Sequence, residues 1–185
     1  MTSTEPASPP APSSPPQHVS PGGEEPRPAP EVRPASIRDA ALLARLNDFV
    51  HSVHARDRPD VFRSGAAHAE LVPIFETHLA REDVRAFVAL LAGRPVGYAL
   101  AVIADRPGDA LTRPRTFVIL EHLAVDPRAA RTGVATALVE AVCTAGGQEG
   151  CSSLLTDVWD FNADARAFYE AAGFTPMRHI LERPI

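Results

Sequence analysis

Apolar residues recur at helical spacing over 37–53, where Ala41, Leu42, Leu46, Phe49, Val50 and Val53 share one face of a predicted amphipathic helix. That helix must end before Arg58-Pro59, because a proline turns the residue ahead of it away from helical geometry. A second helix is predicted over His68–Leu79, with Leu71, Ile74, Phe75 and Leu79 as its buried stripe and Pro73 in the opening turns, where proline is tolerated. The period then shortens to that of strands. Ala86–Leu91 and Val96–Ala104 are apolar runs on either side of Gly93-Arg94-Pro95, which reads as a hairpin. A loop over Arg106–Arg115 leads to a third run, Thr116–Val125, and the three runs make an antiparallel meander.

Ahead of the first helix, Val32–Ala35 opens a first strand. Beyond the meander, Asp126-Pro127 forms a tight turn into a helix over Gly133–Ala145, with Val134, Ala137, Leu138, Ala141 and Val142 on one face and Gly146-Gly147 to stop it. Ser153–Trp159 is another strand. Asn162 then has the chemistry of an N-cap for a helix carrying Ala165, Phe168, Tyr169 and Ala172, which Gly173 ends, and Pro176–Arg183 is a last strand. The predicted order is β α α β β β α β α β, an α/β (α+β) arrangement without internal repeat.

Composition sharpens this picture at the ends. Of 185 residues, 45% are apolar, enough for the core of one domain. Eleven of the 19 prolines fall within the first 34 residues, among Ser, Ala, Gly and Glu, with almost nothing to bury. Residues 1–33 are therefore expected to be a disordered Pro-rich tail, and 34–185 the folded domain. The tail is not expected to be a targeting signal, since it carries Glu5, Glu24, Glu25 and Glu31 and lacks an apolar run. No apolar stretch approaches the roughly 20 residues that span a bilayer. No membrane partner is expected, and a cytoplasmic location is the default. The net charge of −5 offers no footprint for a phosphate backbone, which argues against nucleic acid and suits a cationic small molecule or peptide. Cys143 and Cys151 lack metal-ligand spacing, so neither a disulfide framework nor a metal site is expected.

The segment with the most chemical character runs Leu123-Ala-Val-Asp-Pro-Arg-Ala-Ala-Arg-Thr-Gly-Val-Ala-Thr-Ala-Leu138. A strand, a short turn and a helix N-terminus make a phosphate-binding arrangement, because the first turn of a helix has free N–H groups at the positive end of its dipole. Small residues at 129, 130, 132, 133 and 135 let backbone approach an anion, and Arg128 or Arg131 can add charge. Taken alone, the segment also reads as an ordinary strand-to-helix connection with a solvated arginine pair.

The segment resembles the GNAT superfamily of N-acetyltransferases, whose Leu-Ala-Val-x-Pro strand end runs into a (Gln/Arg)-x-x-Gly-x-(Gly/Ala) loop. The matching stretch is Ala130-Arg131-Thr132-Gly133-Val134-Ala135. A second motif of the superfamily, Asn-x-x-Ala-x-x-Phe-Tyr-x-x-x-Gly-Phe, is matched by Asn162, Ala165, Phe168, Tyr169, Gly173 and Phe174. Two positions depart from the pattern. Ala130 stands where Gln or Arg is usual, and Arg131 where many members have Gly. The resemblance implies the GNAT acyl-CoA N-acyltransferase fold, a mixed and mostly antiparallel sheet flanked by helices. It implies acetyl-CoA as cosubstrate and no metal, with direct transfer to a primary amine of a small molecule or peptide. A module that binds acyl-CoA without turnover is the alternative, and a homodimer is left open.

By the same resemblance, the third meander strand bulges and splays from its neighbour. Glu121 is then the general base, acting through a water, and the Leu123 N–H the oxyanion donor. Tyr169 is the general acid for the leaving thiolate. Leu123, Ala124 and Val125 line the pantetheine arm, while Arg128, Ala130, Arg131, Thr132, Gly133, Val134, Ala135 and Thr136 cradle the pyrophosphate. Asn162 contacts coenzyme A or only caps its helix. His122 competes with Glu121 as base but lies on the opposite face by strand alternation. His54, Arg58, Asp60 and Phe62, between the first two helices, are the candidate acceptor residues, and Trp159 and Phe161 pack the core or the cleft wall.

Overall fold

The computed structural model describes Met1 and residues 28–185. The tail assigned to 1–33 thus lies largely outside the described residues. Its last residues do not, because the first strand, β1 (Glu31–Pro34), is already paired in the sheet. The domain therefore begins before residue 34. The chain continues through α1 (Ala40–Asp57), α2 (His68–Leu79), β2 (Val84–Leu91), β3 (Arg94–Arg106), β4 (Arg115–Val125), α3 (Val134–Gln148), β5 (Leu154–Thr156) and α4 (Ala163–Ala171). The five strands form one sheet in the order β1-β2-β3-β4-β5, antiparallel throughout except for the parallel pair β4–β5.

Alternation along β3 explains the layers. Tyr98, Leu100 and Val102 join Leu43 and Leu46 of α1 and Phe75 of α2 in one buried cluster. Ala99 and Ala101 point the other way and meet Val134, Leu138 and Val142 of α3 in a second. Small side chains on that face let α3 lie close to the sheet. Gly97 is one such position, since a Cβ there would sit 3.3 Å from Val134 of α3 and 2.7 Å from the Ala124 carbonyl oxygen of β4. Each large aliphatic side chain removed from water in these clusters contributes on the order of 2 kcal/mol.

Three expectations need correction. The β2–β3 turn is Ala92-Gly93, both at positive φ (50° and 73°) as a two-residue hairpin loop demands, so Arg94 and Pro95 already belong to β3. Helix α3 does not stop at Gly146-Gly147. Gly146 is a packing glycine, its missing Cβ occupying the space of a Val118 methyl at 2.4 Å, and the chain turns out of the helix at Gly150, φ 73°. The last strand does not form: residues 174–185 have no regular structure, and Met177, Ile180 and Leu181 are exposed. Their spacing is not the alternation a strand needs, and the neighbouring edge strand β5 is only 3 residues long.

Candidate active site

Strand β4 changes character at Glu121. Up to Leu120 it lies between two partners, β3 on one side and β5 on the other, the latter through Val118, Ile119 and Leu120. The Val118 N–H donates to the Ser153 carbonyl at 2.9 Å, and the Leu120 carbonyl accepts from the Thr156 hydroxyl at 3.1 Å. On the β3 side the register slips, with Leu100 opposite His122 and Ala101 opposite Leu120, so Glu121 is the extra residue of a bulge. Downstream, the Asp126 N–H donates to Val96 on the β3 side at 2.7 Å. The bulge has therefore shifted the alternation, and the main-chain groups of Leu123 and Val125 turn to the edge that β5 no longer covers. The bulge and the splay expected of the third meander strand are both present.

The turn after β4 leads to an open helix end. The Asp126 carboxylate accepts the Arg128 N–H at 2.9 Å and the Arg128 guanidinium at 2.6 Å, and that guanidinium holds the carboxyl below its ordinary range. Arg128 is thus committed to its own turn, although its side chain remains exposed. The Thr132 hydroxyl donates to the Ala129 carbonyl at 2.6 Å. Arg131 stands at φ 64°, a left-handed conformation that favours glycine, which accounts for the Gly usual at this position. Gly133, at φ 84°, precedes α3 with no side-chain cap. The first helical bond runs from the Ala137 N–H to Gly133, so the N–H groups of Val134, Ala135 and Thr136 have no partner inside the helix. Such an end suits an anion.

Glu121, His122 and Leu123 together line a cavity of about 350 Å³ between α1, the splayed end of β4 and the β5–α4 connection. His122 does not lie on the opposite face as alternation predicts, because the bulge resets the faces. Its Nδ1 is 2.9 Å from the Tyr98 hydroxyl, which donates to Asn47 Oδ1 at 2.9 Å. The Tyr98 hydroxyl thus bridges Asn47 and His122 and fixes the orientation of the imidazole. Burial, then the neighbouring His78 and His54, lowers its pKa to about 4, so the ring is neutral and locked at neutral pH. Glu121 is exposed to the cleft instead.

Helix α4 supplies the opposite wall. Asn162 Oδ1 accepts the Ala165 N–H at 3.1 Å, closing this helix start, and the residue also lines the cavity. Tyr169 lines it too, its ring 5.3 Å from Phe168 and 5.2 Å from Phe174. Burial raises the phenol pKa against a smaller opposing effect of Thr156, so the hydroxyl is protonated at neutral pH. At the acceptor end, His54 and Phe62 line the cavity, whereas Arg58 and Asp60 do not. Those two pair with each other at 2.8 Å, and Arg58 lies over Trp159 at 4.9 Å from its ring centre. Sequence reasoning did not single out Asn47, His51, Thr156 or Asp157, which also line the cavity. Asn47 alone left a signal, as a polar residue on the Leu43, Leu46, Val50 stripe of α1.

Among the described residues, no cluster of three His, Cys, Asp or Glu side chains is positioned to hold a metal, and no helix is long and apolar enough to cross a membrane. Cys143 and Cys151 are free thiols.

A mixed sheet split at its fourth strand, with an uncapped helix start beyond the end of that strand, defines an α/β protein with an open cleft beside β4. Residues 48–174 match the Acetyltransferase (GNAT) family, and the chain belongs to that family. Solved structures agree on the fold. The tetramutant of the BH1408 protein from Bacillus halodurans is 25% identical, with a TM-score of 0.78 over 84% of this chain and 99% of that one. The aminoglycoside N-acetyltransferase AAC(6')-Iy in complex with CoA is 21% identical, with a TM-score of 0.66 over 90% of this chain and 99% of that one. The aminoglycoside acetyltransferase meta-AAC0020, from an uncultured soil metagenomic sample and in complex with sisomicin, is 15% identical, with a TM-score of 0.63 over 84% and 95%. No curated protein sequence matches the chain.

Proposed function

We propose that this protein transfers the acetyl group of acetyl-CoA directly to a primary amine of a small molecule or peptide, with both reactants bound in the one cleft. The observation that carries this reading is the bulge at Glu121, which opens the β4 edge and turns Leu123 and Val125 toward it. The open start of α3 stands beyond the same strand end, with free N–H groups suited to a pyrophosphate. Arg128 contributes little charge to that loop because Asp126 already holds it.

In this reading the pantetheine arm lies along Leu123–Val125, its amides paired with the main-chain groups that β5 leaves free. Glu121 accepts a proton from the bound ammonium through a water, freeing the amine lone pair to attack the thioester carbonyl carbon. The Leu123 N–H donates to the oxygen as negative charge builds on it. Glu121 passes that first proton to solvent. As the carbon–sulfur bond breaks, Tyr169 gives its proton to the thiolate, and the amine's second proton, taken by the freed Glu121, returns through water to the Tyr169 oxygen. The raised pKa of Tyr169 keeps that proton available at neutral pH. His122, neutral and bonded to Tyr98, holds the wall in place instead of taking the proton.

Thiol release from acetyl-CoA across a panel of amines tests the reading. Turnover with at least one amine is expected, and Glu121→Gln is expected to lower kcat by about 100-fold with a small change in KM, as removal of a general base does. Saturable coenzyme A binding with no turnover, or turnover indifferent to Glu121→Gln and Tyr169→Phe together, would make the chain a non-catalytic acyl-CoA-binding module.

A further inference from the structure

The acceptor end of the cavity is walled by aromatic rings drawn from distant parts of the chain. His54 of α1 stacks on Phe62, with ring centres 5.0 Å apart and planes at 29°. Phe62 meets Trp159 edge-on at 5.6 Å, and Trp159 stacks on Phe161 at 5.9 Å and 20°. Phe161 returns to His54 at 6.1 Å, closing a circuit of four rings. His54, Phe62 and Trp159 face the cavity.

The wall carries no charge toward the cavity. Burial, and to a smaller degree His51, pushes the His54 pKa below its ordinary value, so the imidazole is neutral at neutral pH. Arg58 lies over Trp159, but Asp60 at 2.8 Å and Glu182 at 3.2 Å neutralise it. The carboxylates of the lining are Glu121 and Asp157, and Glu121 is taken by the proposed chemistry. A polycation needs several carboxylates to replace its hydration, whereas a flat ring needs only a stacking surface and one polar anchor. The cavity, at about 350 Å³, is also at the small end of ligand pockets, which run from roughly 300 to 1,000 Å³.

We propose that the acceptor is a compact monoamine, a single primary amine on a short chain from an aromatic ring, with the ring against His54, Phe62 and Trp159 and the amine toward Glu121. The assignment rests on the transferase reading above and narrows its acceptor class.

Trp159 is the chain's one tryptophan, so its fluorescence reports the wall directly. The full chain with acetyl-CoA is tested against 2-phenylethylamine, butylamine, sisomicin and a short peptide with a free N-terminus. The expected result is a kcat/KM for 2-phenylethylamine at least tenfold above that of each other acceptor, with saturable quenching of Trp159 by 2-phenylethylamine. Phe62→Leu, which keeps the bulk and removes the ring, is expected to cut the 2-phenylethylamine to butylamine preference about fivefold, through KM. Preferred turnover of sisomicin or of the peptide would overturn the acceptor class and leave the transferase reading standing. A preference unmoved by Phe62→Leu in a variant that still turns over would also overturn it. No thiol release with any acceptor, despite coenzyme A binding, would overturn both.

Discussion

Helices α3 and α4 both begin just beyond the ends of adjacent parallel strands, yet their first turns are built oppositely. At α4, Asn162 folds back to take the Ala165 N–H at 3.1 Å, so the end is finished by the protein itself. At α3, Gly133 at φ 84° offers no side chain, and the N–H groups of the first turn are left over. With glycine in the cap position, the missing side-chain bond forgoes only about 0.3 kcal/mol of helix stability. In the proposed function the bare end is the one that receives the ligand, and the capped end serves only the fold. The same division runs through the cleft wall, where Asn47, Tyr98 and His122 satisfy one another while the main-chain groups of Leu123 and Val125 face an open edge.

The largest effect expected of this division lies on its closed side. His122 has a folded pKa of about 4, against an ordinary value of 6.5, so the unfolded chain binds more protons between those values. Stability from this group is complete above pH 6.5 and is lost as pH falls toward 4, by about 3 kcal/mol. Urea unfolding across that window should show the loss in the parent and a flatter profile in His122→Gln. Equal slopes in the two proteins would contradict the closed network.

Next in size, a carboxylate placed at the open end should compete with the ligand. Thr136→Asp is expected to lower coenzyme A affinity at least tenfold while leaving the thermal midpoint unchanged or raised, since an acidic residue in the first turn stabilises a helix by about 0.5 kcal/mol. A destabilised protein with intact affinity would break the comparison. The converse holds at α4: Asn162→Ala should cost about 1 kcal/mol in unfolding experiments and change coenzyme A affinity less than about twofold. A larger loss of affinity would give Asn162 the contact with coenzyme A that the family motif suggests. The smallest effect concerns Arg131, strained at φ 64°. Arg131→Gly should relieve the strain and stabilise the protein by roughly 0.5 kcal/mol, net of glycine's entropy. A destabilised Arg131→Gly would mean that the side chain holds the loop.

These contrasts separate what the sequence could reveal from what it could not. The α3 start is legible because an anion cradle needs small residues contiguous in the chain, and 129–136 supply them. The Asn162 cap is legible for the same reason, its donor being only three residues on. The position of His122 is not, because the bulge beside it is a property of the β3–β4 register, and one extra residue exchanges the faces. Arg128 looked available to a phosphate until its bond to Asp126, two residues back, appeared. The aromatic wall joins α1, the α1–α2 connection and the β5–α4 connection, and no local pattern announces such a meeting. The absent last strand reflects a partner edge too short to pair with it.

The central claim, that the bare start of α3 and the open edge of β4 hold one ligand between them, is tested most directly by a crystal structure with coenzyme A bound. The account predicts pyrophosphate oxygens about 3 Å from main-chain nitrogens within 132–136, and the thiol arm along Leu123–Val125 with its sulfur between Glu121 and Tyr169. A pyrophosphate bound elsewhere, with the N–H groups of Val134, Ala135 and Thr136 still facing solvent, would contradict it.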